Sequence, residues 1–153
     1  MARRARLLPL LPVLAAALLL ASEAFVTKHG LTPLARVVSN AVAGVEPGLM
    51  GLGPVPAVRK ALERAGLQTS DVALFELNEA FAAQVIPIAK ECGIDMEKLN
   101  PHGGAIALGH PVGMSGTRVV LTLANELRRR GGGIGAAALC GGGGQGDGLI
   151  IRV

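Results

Sequence analysis

The chain has 153 residues, which is enough for one domain with a hydrophobic core. Half of its residues are hydrophobic, only 2% are aromatic, and it has two cysteines, too few for a secreted disulfide scaffold. The formal charge of +4 comes with no Tyr or Trp on which bases could stack, so nucleic acid is not an expected partner.

The first 30 residues allow two interpretations. Residues 1–6 are basic, residues 7–21 are apolar and residues 22–24 are a possible cleavage site, which is the plan of a secretory signal peptide. As a membrane span the segment is too short and is interrupted by prolines. Alternatively, residues 13–30 form one helix that Gly30 terminates. The signal interpretation predicts an exported protein, and the helix interpretation predicts a cytoplasmic one.

From residue 34 onward, short apolar runs alternate with amphipathic segments. The runs predict strands at residues 34–43, 72–77, near 98–101, 135–140 and 148–153, and the amphipathic segments predict helices at 54–66, 78–92 and 115–130. The order β-α-β-α-β-α-β-β predicts an α/β fold in which a largely parallel sheet is layered with helices. The last two strands, joined by a glycine turn, add an antiparallel hairpin, so the sheet is mixed.

Cys140 stands at the end of a predicted strand and opens the run Gly141-Gly-Gly-Gly-Gln-Gly146. Backbone N–H groups in such a turn can point one way and stabilise a developing negative charge. A buried structural cysteine before a glycine hairpin explains the same pattern. The run also fits the G-x-G-x-x-G pattern, but a strand follows it, so a dinucleotide site is excluded.

His110 lies between Gly109 and Pro111, and histidine is the natural base for activating a thiol near neutral pH. A hydrogen-bonded structural histidine is the alternative. Asn78, at a strand-to-helix junction, is either the N-cap of that helix or a polar group beside His110. Phe81 is either part of the core or the wall of an apolar slot. The histidines do not show zinc-ligand spacing with either cysteine, so no metal is expected.

Several separated motifs resemble the C-terminal half of a thiolase, a member of the acetyl-CoA acyltransferase family. They are Pro33-Leu-Ala-Arg36, Gly51-Leu-Gly-Pro54, Asn78-Glu-Ala-Phe81, Gly103-Gly-Ala-Ile-Ala-Leu-Gly-His-Pro111 with Ser115-Gly116 behind it, and Cys140 with its glycines. The resemblance implies a thiolase C-terminal domain at 32–153, a remnant of the last helix of the N-terminal domain at 13–31 and a divergent basic and apolar start at 1–12.

The resemblance also implies an activity, which is acyl exchange between coenzyme A and a 3-ketoacyl chain. Coenzyme A thioesters are then substrates, with no tightly bound cofactor. His110 would activate the family's nucleophilic cysteine and donate to a thioester oxygen, and Cys140 would move the proton on the α-carbon. Asn78 would hold a water of the first oxyanion site, and the N–H of Gly142 would belong to the second.

Ala80 and Phe81 are expected to contact the substrate, and the family usually forms homo-oligomers. In thiolases the acyl-accepting cysteine lies in a separate N-terminal domain, of which only residues 13–31 are recognised here. We therefore expect this chain to be inactive alone. Two alternatives remain: a non-catalytic remnant that binds a partner thiolase subunit, and a small secreted or membrane-attached protein if residues 1–24 act as a signal.

Overall fold

The computed structural model describes residues 15–153, which contain five α-helices and four strands. In chain order these are α1 (Glu23–Lys28), β1 (Arg36–Gly44), α2 (Pro54–Ala65), β2 (Leu74–Leu77), α3 (Ala82–Cys92), α4 (Ala105–Leu108), α5 (Val112–Arg129), β3 (Ile134–Gly141) and β4 (Gln145–Arg152). Short 3-10 turns occupy Pro47–Leu52, Thr69–Asp71 and Met96–Lys98. Across residues 15–153, no helix is both long and apolar enough to cross a bilayer.

The four strands form one mixed sheet in the order β1-β4-β3-β2. Only β2 and β3 are parallel, whereas β4 is antiparallel to both of its neighbours. The α/β class and the terminal hairpin are confirmed, but the expectation of a largely parallel sheet is wrong. The reason is that the β3–β4 hairpin occupies the centre of the sheet, so two of the three strand pairs are antiparallel.

The strand predicted near residues 98–101 is not formed. The chain makes a 3-10 turn at Met96–Lys98, and Leu99 then forms a single parallel bridge with Phe75. Asn100 follows in the left-handed region with φ of 45°, which ends the extended backbone after one residue. This segment therefore lies beside β2 without extending the sheet.

Helices cover both faces of the sheet, because side chains alternate between the faces along each strand. Helices α2 and α3 cover the first face, with the buried side chains Val58, Leu62, Phe75, Leu77, Ile88, Ala136, Ala138 and Ile150. Helix α5 covers the second, with Leu74, Val119, Leu123, Leu127, Ala137 and Ile151. Each fully buried leucine or isoleucine stabilises the fold by about 1.5–3 kcal/mol. These two layers fix the orientation of α5 and therefore of the residues that precede it.

Two helices begin at positions that the sequence did not predict. Helix α5 begins at Val112, directly after Pro111, rather than at residue 115. Helix α3 begins at Ala82, so Asn78 is not its N-cap, and residues 79–81 connect β2 to α3. Asn78 is thus free of a capping role, and His110 lies just outside the first turn of α5.

The predicted helix over residues 13–30 is wrong for most of its described length. Residues 15–22 have no regular structure, and α1 is a six-residue helix that Ser22 caps by accepting a hydrogen bond from the N–H of Phe25. No residue of α1 is buried, and Leu19 is 91% exposed. An apolar helix of this length is marginal in water without a surface to pack on. Residues 1–12, predicted as a divergent start, lie outside the described residues.

Candidate active site

Asn78, His110 and Ser115 form a hydrogen-bonded chain at the carboxyl end of β2. Nδ2 of Asn78 lies 3.3 Å from Nε2 of His110, and Nδ1 of His110 lies 2.6 Å from Oγ of Ser115. The Ser115 hydroxyl donates to the carbonyl oxygen of Pro111 at 3.2 Å, so it accepts from Nδ1–H. An amide NH₂ can only donate, so Nε2 accepts. These partners fit the neutral tautomer that carries its proton on Nδ1 and a lone pair on Nε2.

The same end of the sheet brings Asn78 beside the strand that carries Cys140. The backbone N–H of Asn78 donates to the carbonyl of Ala138 at 2.9 Å, which continues the parallel pairing of Leu77 with Ala138. Asn78 is 1% exposed, and its Oδ1 atom has no protein partner among residues 15–153. A buried acceptor without a partner is costly, so this oxygen is available to a water or a substrate.

Cys140 approaches this end of the sheet from the other face. Strand alternation places it with Ala136 and Ala138, on the side that α2 and α3 cover, whereas Asn78 follows Leu74 on the α5 side. The thiol is unpaired and half-buried. The two groups therefore flank the ends of neighbouring strands. Whether sulfur and imidazole reach one acyl group stays a prediction.

The glycine turn after Cys140 is shaped by backbone contacts. Gly143 and Gly144 have φ of +84° and +95°, a region that favours glycine. A Cβ on Gly146 would collide with the backbone of Gly53, so glycine at this position lets the Gly51–Pro54 motif pack against the turn. Gly142 is exposed, and nothing lies within 4 Å of the position of its missing Cβ. The backbone at Gly142 is thus open to a ligand.

The two predicted substrate contacts lie on the connection between Asn78 and α3. Ala80 is half-buried, and Phe81 is 62% exposed, so Phe81 is not part of the core. Ile106 and Val112, on the segments that flank His110, are also exposed. Exposed apolar side chains on the segments that carry the polar site residues are typical of a surface that a ligand or another protein surface covers.

Two buried charges lie on the α5 side of the sheet. Glu76, two residues before Asn78 on β2, and Arg118, on α5, are both buried, and no charged atom of either has a hydrogen-bond partner among residues 15–153. Burial raises the pKa of Glu76 to about 7, although the positive charge of Arg118 opposes this shift. The layer beneath the site is therefore polar and sensitive to pH.

The sequence singled out His110 and Asn78 correctly as neighbours but did not assign Ser115 a role beside the histidine. In the sequence, Ser115 stands out only as part of a motif and as the first residue of the predicted helix, yet it is fully buried and bonds to the imidazole. The spacing is the available signal, because the residue before a helix N-cap, here His110, lies close to the fourth residue of the helix, here Ser115. His102, by contrast, bonds to the carboxylate of Glu126 at 2.8 Å, away from Asn78.

The best-formed depressions on residues 15–153 are open grooves. A groove of about 180 Å³ on the α5 face is lined by residues that include Gly116, Val119 and Leu139. Ordinary small-molecule pockets are larger, from about 300 Å³ upward. Within the same residues no three His, Cys, Asp or Glu side chains are grouped as metal ligands.

The family model described as "Thiolase, C-terminal domain" matches residues 31–153. The chain belongs to the thiolase family. It is 55% identical over 140 residues to the 3-oxoadipyl-CoA/3-oxo-5,6-dehydrosuberyl-CoA thiolase of Escherichia coli (strain K12), which is 90% of this chain and 35% of that protein. It is 54% identical over 138 residues to the acetyl-CoA acetyltransferase of the same organism, with the same shares.

A solved thiolase structure has the same fold as this chain. The crystal structure of human mitochondrial 3-ketoacyl-CoA thiolase in complex with CoA matches with a TM-score of 0.84 and 52% identity, over 86% of this chain and 34% of that chain. The chain spans about a third, 35%, of the length of the curated thiolases that it matches. It therefore represents the C-terminal domain of a family of acyltransferases.

Proposed function

We propose that this chain supplies the C-terminal catalytic half of a thiolase that exchanges acyl groups between coenzyme A and 3-ketoacyl-CoA. The observation that carries the proposal is the Asn78–His110–Ser115 network beside the end of β3. It presents an imidazole whose Nε2 is a hydrogen-bond acceptor, as a nitrogen that takes a proton from a thiol must be.

His110 acts first in the proposed reaction. Its Nε2 takes the proton of the acyl-accepting thiol, and the resulting thiolate attacks the thioester carbonyl. The departing thiolate takes a proton from Cys140 and leaves as a thiol, so Cys140 becomes the thiolate that acts in the next step. Once protonated, Nε2 donates to an oxygen that gains negative charge. The amide of Asn78 then turns toward a water or a substrate oxygen, because Nε2–H no longer accepts from Nδ2.

Cys140 and Gly142 act in the carbon–carbon step. In the condensation direction the thiolate of Cys140 removes a proton from the α-carbon of the second acyl-CoA, and the carbanion attacks the carbonyl of the acyl-enzyme. The N–H of Gly142 donates to the oxyanion of that tetrahedral intermediate. Its exposed backbone, with open space beside it, supports this assignment. Ala80 and Phe81 line the approach of the acyl chain.

The acyl-accepting cysteine comes from the other thiolase half in this proposal. Of the two cysteines in the chain, Cys92 is buried at the end of α3, where burial raises the pKa of its thiol. Cys140 is assigned to proton transfer at carbon. The exposed apolar residues Phe81, Ile106 and Val112 support a site completed by another surface. The completed enzyme is proposed to be a homo-oligomer, as the family resemblance implies.

Complementation tests the proposal. The chain is co-expressed with the segment of E. coli acetyl-CoA acetyltransferase that precedes its matched region, and thiolysis of acetoacetyl-CoA is measured. We expect no turnover by the chain alone and turnover on the order of 1 per second in the complemented enzyme. His110→Asn and Cys140→Ser each lower this rate by about 100-fold or more, whereas Arg59→Gln, on the exposed face of α2, does not.

Two results contradict the proposal. Enzyme-like turnover by the chain alone shows that no second half is needed. Full activity of both His110→Asn and Cys140→Ser in the complemented enzyme shows that neither side chain is catalytic. A complemented complex that forms without any turnover favours the non-catalytic remnant.

A further inference from the structure

Residues 100–109, which we call the histidine loop, lead from the end of the Leu99 bridge to His110. Three of its residues, Asn100, Gly103 and Gly109, have φ of 45°, 79° and 87°. Asn100 is the one non-glycine residue with positive φ within residues 15–153. Left-handed backbone is disfavoured for residues other than glycine, so contacts outside the loop have to hold this conformation.

Asn100 ties the start of the histidine loop to the end of β2. Its Oδ1 accepts from the N–H of Leu77 at 2.8 Å, and its Nδ2 donates to the carbonyl of Leu77 at 3.0 Å. The same Nδ2 donates to Oε1 of Glu79 at 3.0 Å. Asn100 is buried, so its two bonds to Leu77 are protected from water.

Glu79 connects the two ends of the histidine loop. While Oε1 accepts from Asn100 at the start, Oε2 accepts from the N–H of Ile106, which lies four residues before His110, at 3.0 Å. Gly104 makes this possible. A Cβ on Gly104 would overlap the carboxyl carbon of Glu79 and lie 2.6 Å from Oε1. The missing side chain of Gly104 is the space that the carboxylate fills.

We infer that Glu79 is a positioning residue that holds the histidine loop and thereby sets the imidazole of His110 against Asn78. Glu79 and Asn78 are adjacent on the chain, so the carboxylate that fixes the loop and the amide that meets the imidazole share one rigid support at the end of β2. Hydrogen bonds to a carboxylate are about twice as strong as neutral ones, which suits a single side chain that fixes a loop at two points.

The catalytic meaning of this inference rests on the proposed function, but its test does not. The chain is labelled with 15N-histidine, and the shifts of Nδ1 and Nε2 report the tautomer. The chain has three histidines, and the variants His29→Gln and His102→Gln identify which signals belong to His110. In the wild type, we expect the 15N shifts of the two ring nitrogens of His110 to be widely separated, as in an imidazole whose proton stays on Nδ1.

Two variants disturb the contact by different means. Glu79→Ala removes the carboxylate, and Gly104→Ala displaces it while leaving Glu79 in place. In both, the two His110 nitrogen shifts move together toward the averaged values of a freely exchanging imidazole. Adding Gly104→Ala to Glu79→Ala has no additional effect on these shifts, because no carboxylate remains to be displaced. Glu91→Ala is the matched control, since Glu91 is an exposed carboxylate that pairs with Arg59 in another layer.

The outcomes are distinguishable from failure of the proposed function. Wild-type His110 shifts in both Glu79→Ala and Gly104→Ala overturn the inference, as does an equal change in Glu91→Ala. Circular dichroism confirms that each variant is folded, and Gly104→Ala carries the test if Glu79→Ala is not. If the shifts collapse as expected while every complemented enzyme is inactive, Glu79 positions His110 and the acyl-transfer proposal fails.

Discussion

The buried carboxyl of Glu76 makes the stability of the chain depend on pH, and Glu76→Gln isolates the effect. Glu76 is 1% exposed, and burial raises its pKa from 4.5 to about 7 against the opposing charge of Arg118. The nearby carboxylates Glu79 and Glu126 add to the rise. Glutamine has the shape of the protonated carboxyl but carries no charge at any pH.

Stability falls as pH rises, because the unfolded chain releases the Glu76 proton at a lower pH than the folded chain does. As pH rises through 4.5 the unfolded chain ionises Glu76, while the folded chain keeps the proton until pH is about 7. The stability contributed by Glu76 is therefore fully present below pH 4.5 and is lost as pH rises to about 7. The interval between 4.5 and 7, at about 1.4 kcal/mol per pH unit, corresponds to about 3 kcal/mol.

Urea unfolding of the wild type and Glu76→Gln across this range measures the effect. The free energy of unfolding of the wild type minus that of the variant should fall by about 3 kcal/mol between roughly pH 4 and pH 8. The attraction between ionised Glu76 and Arg118 is already included in the pKa of about 7, so it adds no separate contribution to this slope. Glu63→Gln, on the exposed face of α2, controls for the loss of one carboxylate. A difference that stays flat or rises with pH refutes the reasoning.

Three further predictions concern packing, the glycine turn and the N-terminus. Leu123→Ala removes a 1%-exposed side chain between α5 and the sheet and lowers the free energy of unfolding by about 2–5 kcal/mol in urea titrations, whereas Leu49→Ala, at an exposed position, changes it by less than about 0.5 kcal/mol. Equal losses in both variants contradict this packing. Gly146→Ala places a Cβ against the backbone of Gly53 and destabilises the chain by about 1–3 kcal/mol in the same assay, whereas wild-type stability in this variant means that the turn is not tightly packed there. Mass spectrometry of the expressed protein should find an uncleaved N-terminus, as expected of a cytoplasmic protein, and cleavage after Ala24 supports export instead.

Local sequence signals predicted much of the fold because they act over a few residues. Pro54 at the start of α2 and Gly66 beyond its end, with φ of 66°, set a helix that the structure reproduces. The glycine run after Cys140 predicted the β3–β4 hairpin. Of the helix predicted over residues 13–30, the described residues form only Glu23–Lys28, because a Leu- and Ala-rich segment forms a stable helix only when its apolar face has a partner.

The order of motifs along the chain determined the family and the identity of the candidate residues, because Asn78, His110 and Cys140 stand in distinctive local settings. Only the tertiary structure decided the strand order and the hydrogen-bond partners of Ser115, Glu79 and His110. These depend on hydrogen bonds between Asn78 and His110, which are 32 residues apart, and between Glu79 and Ile106, which are 27 apart. No local pattern encodes such pairs, because they form only when packing of α5 on the sheet brings their segments together.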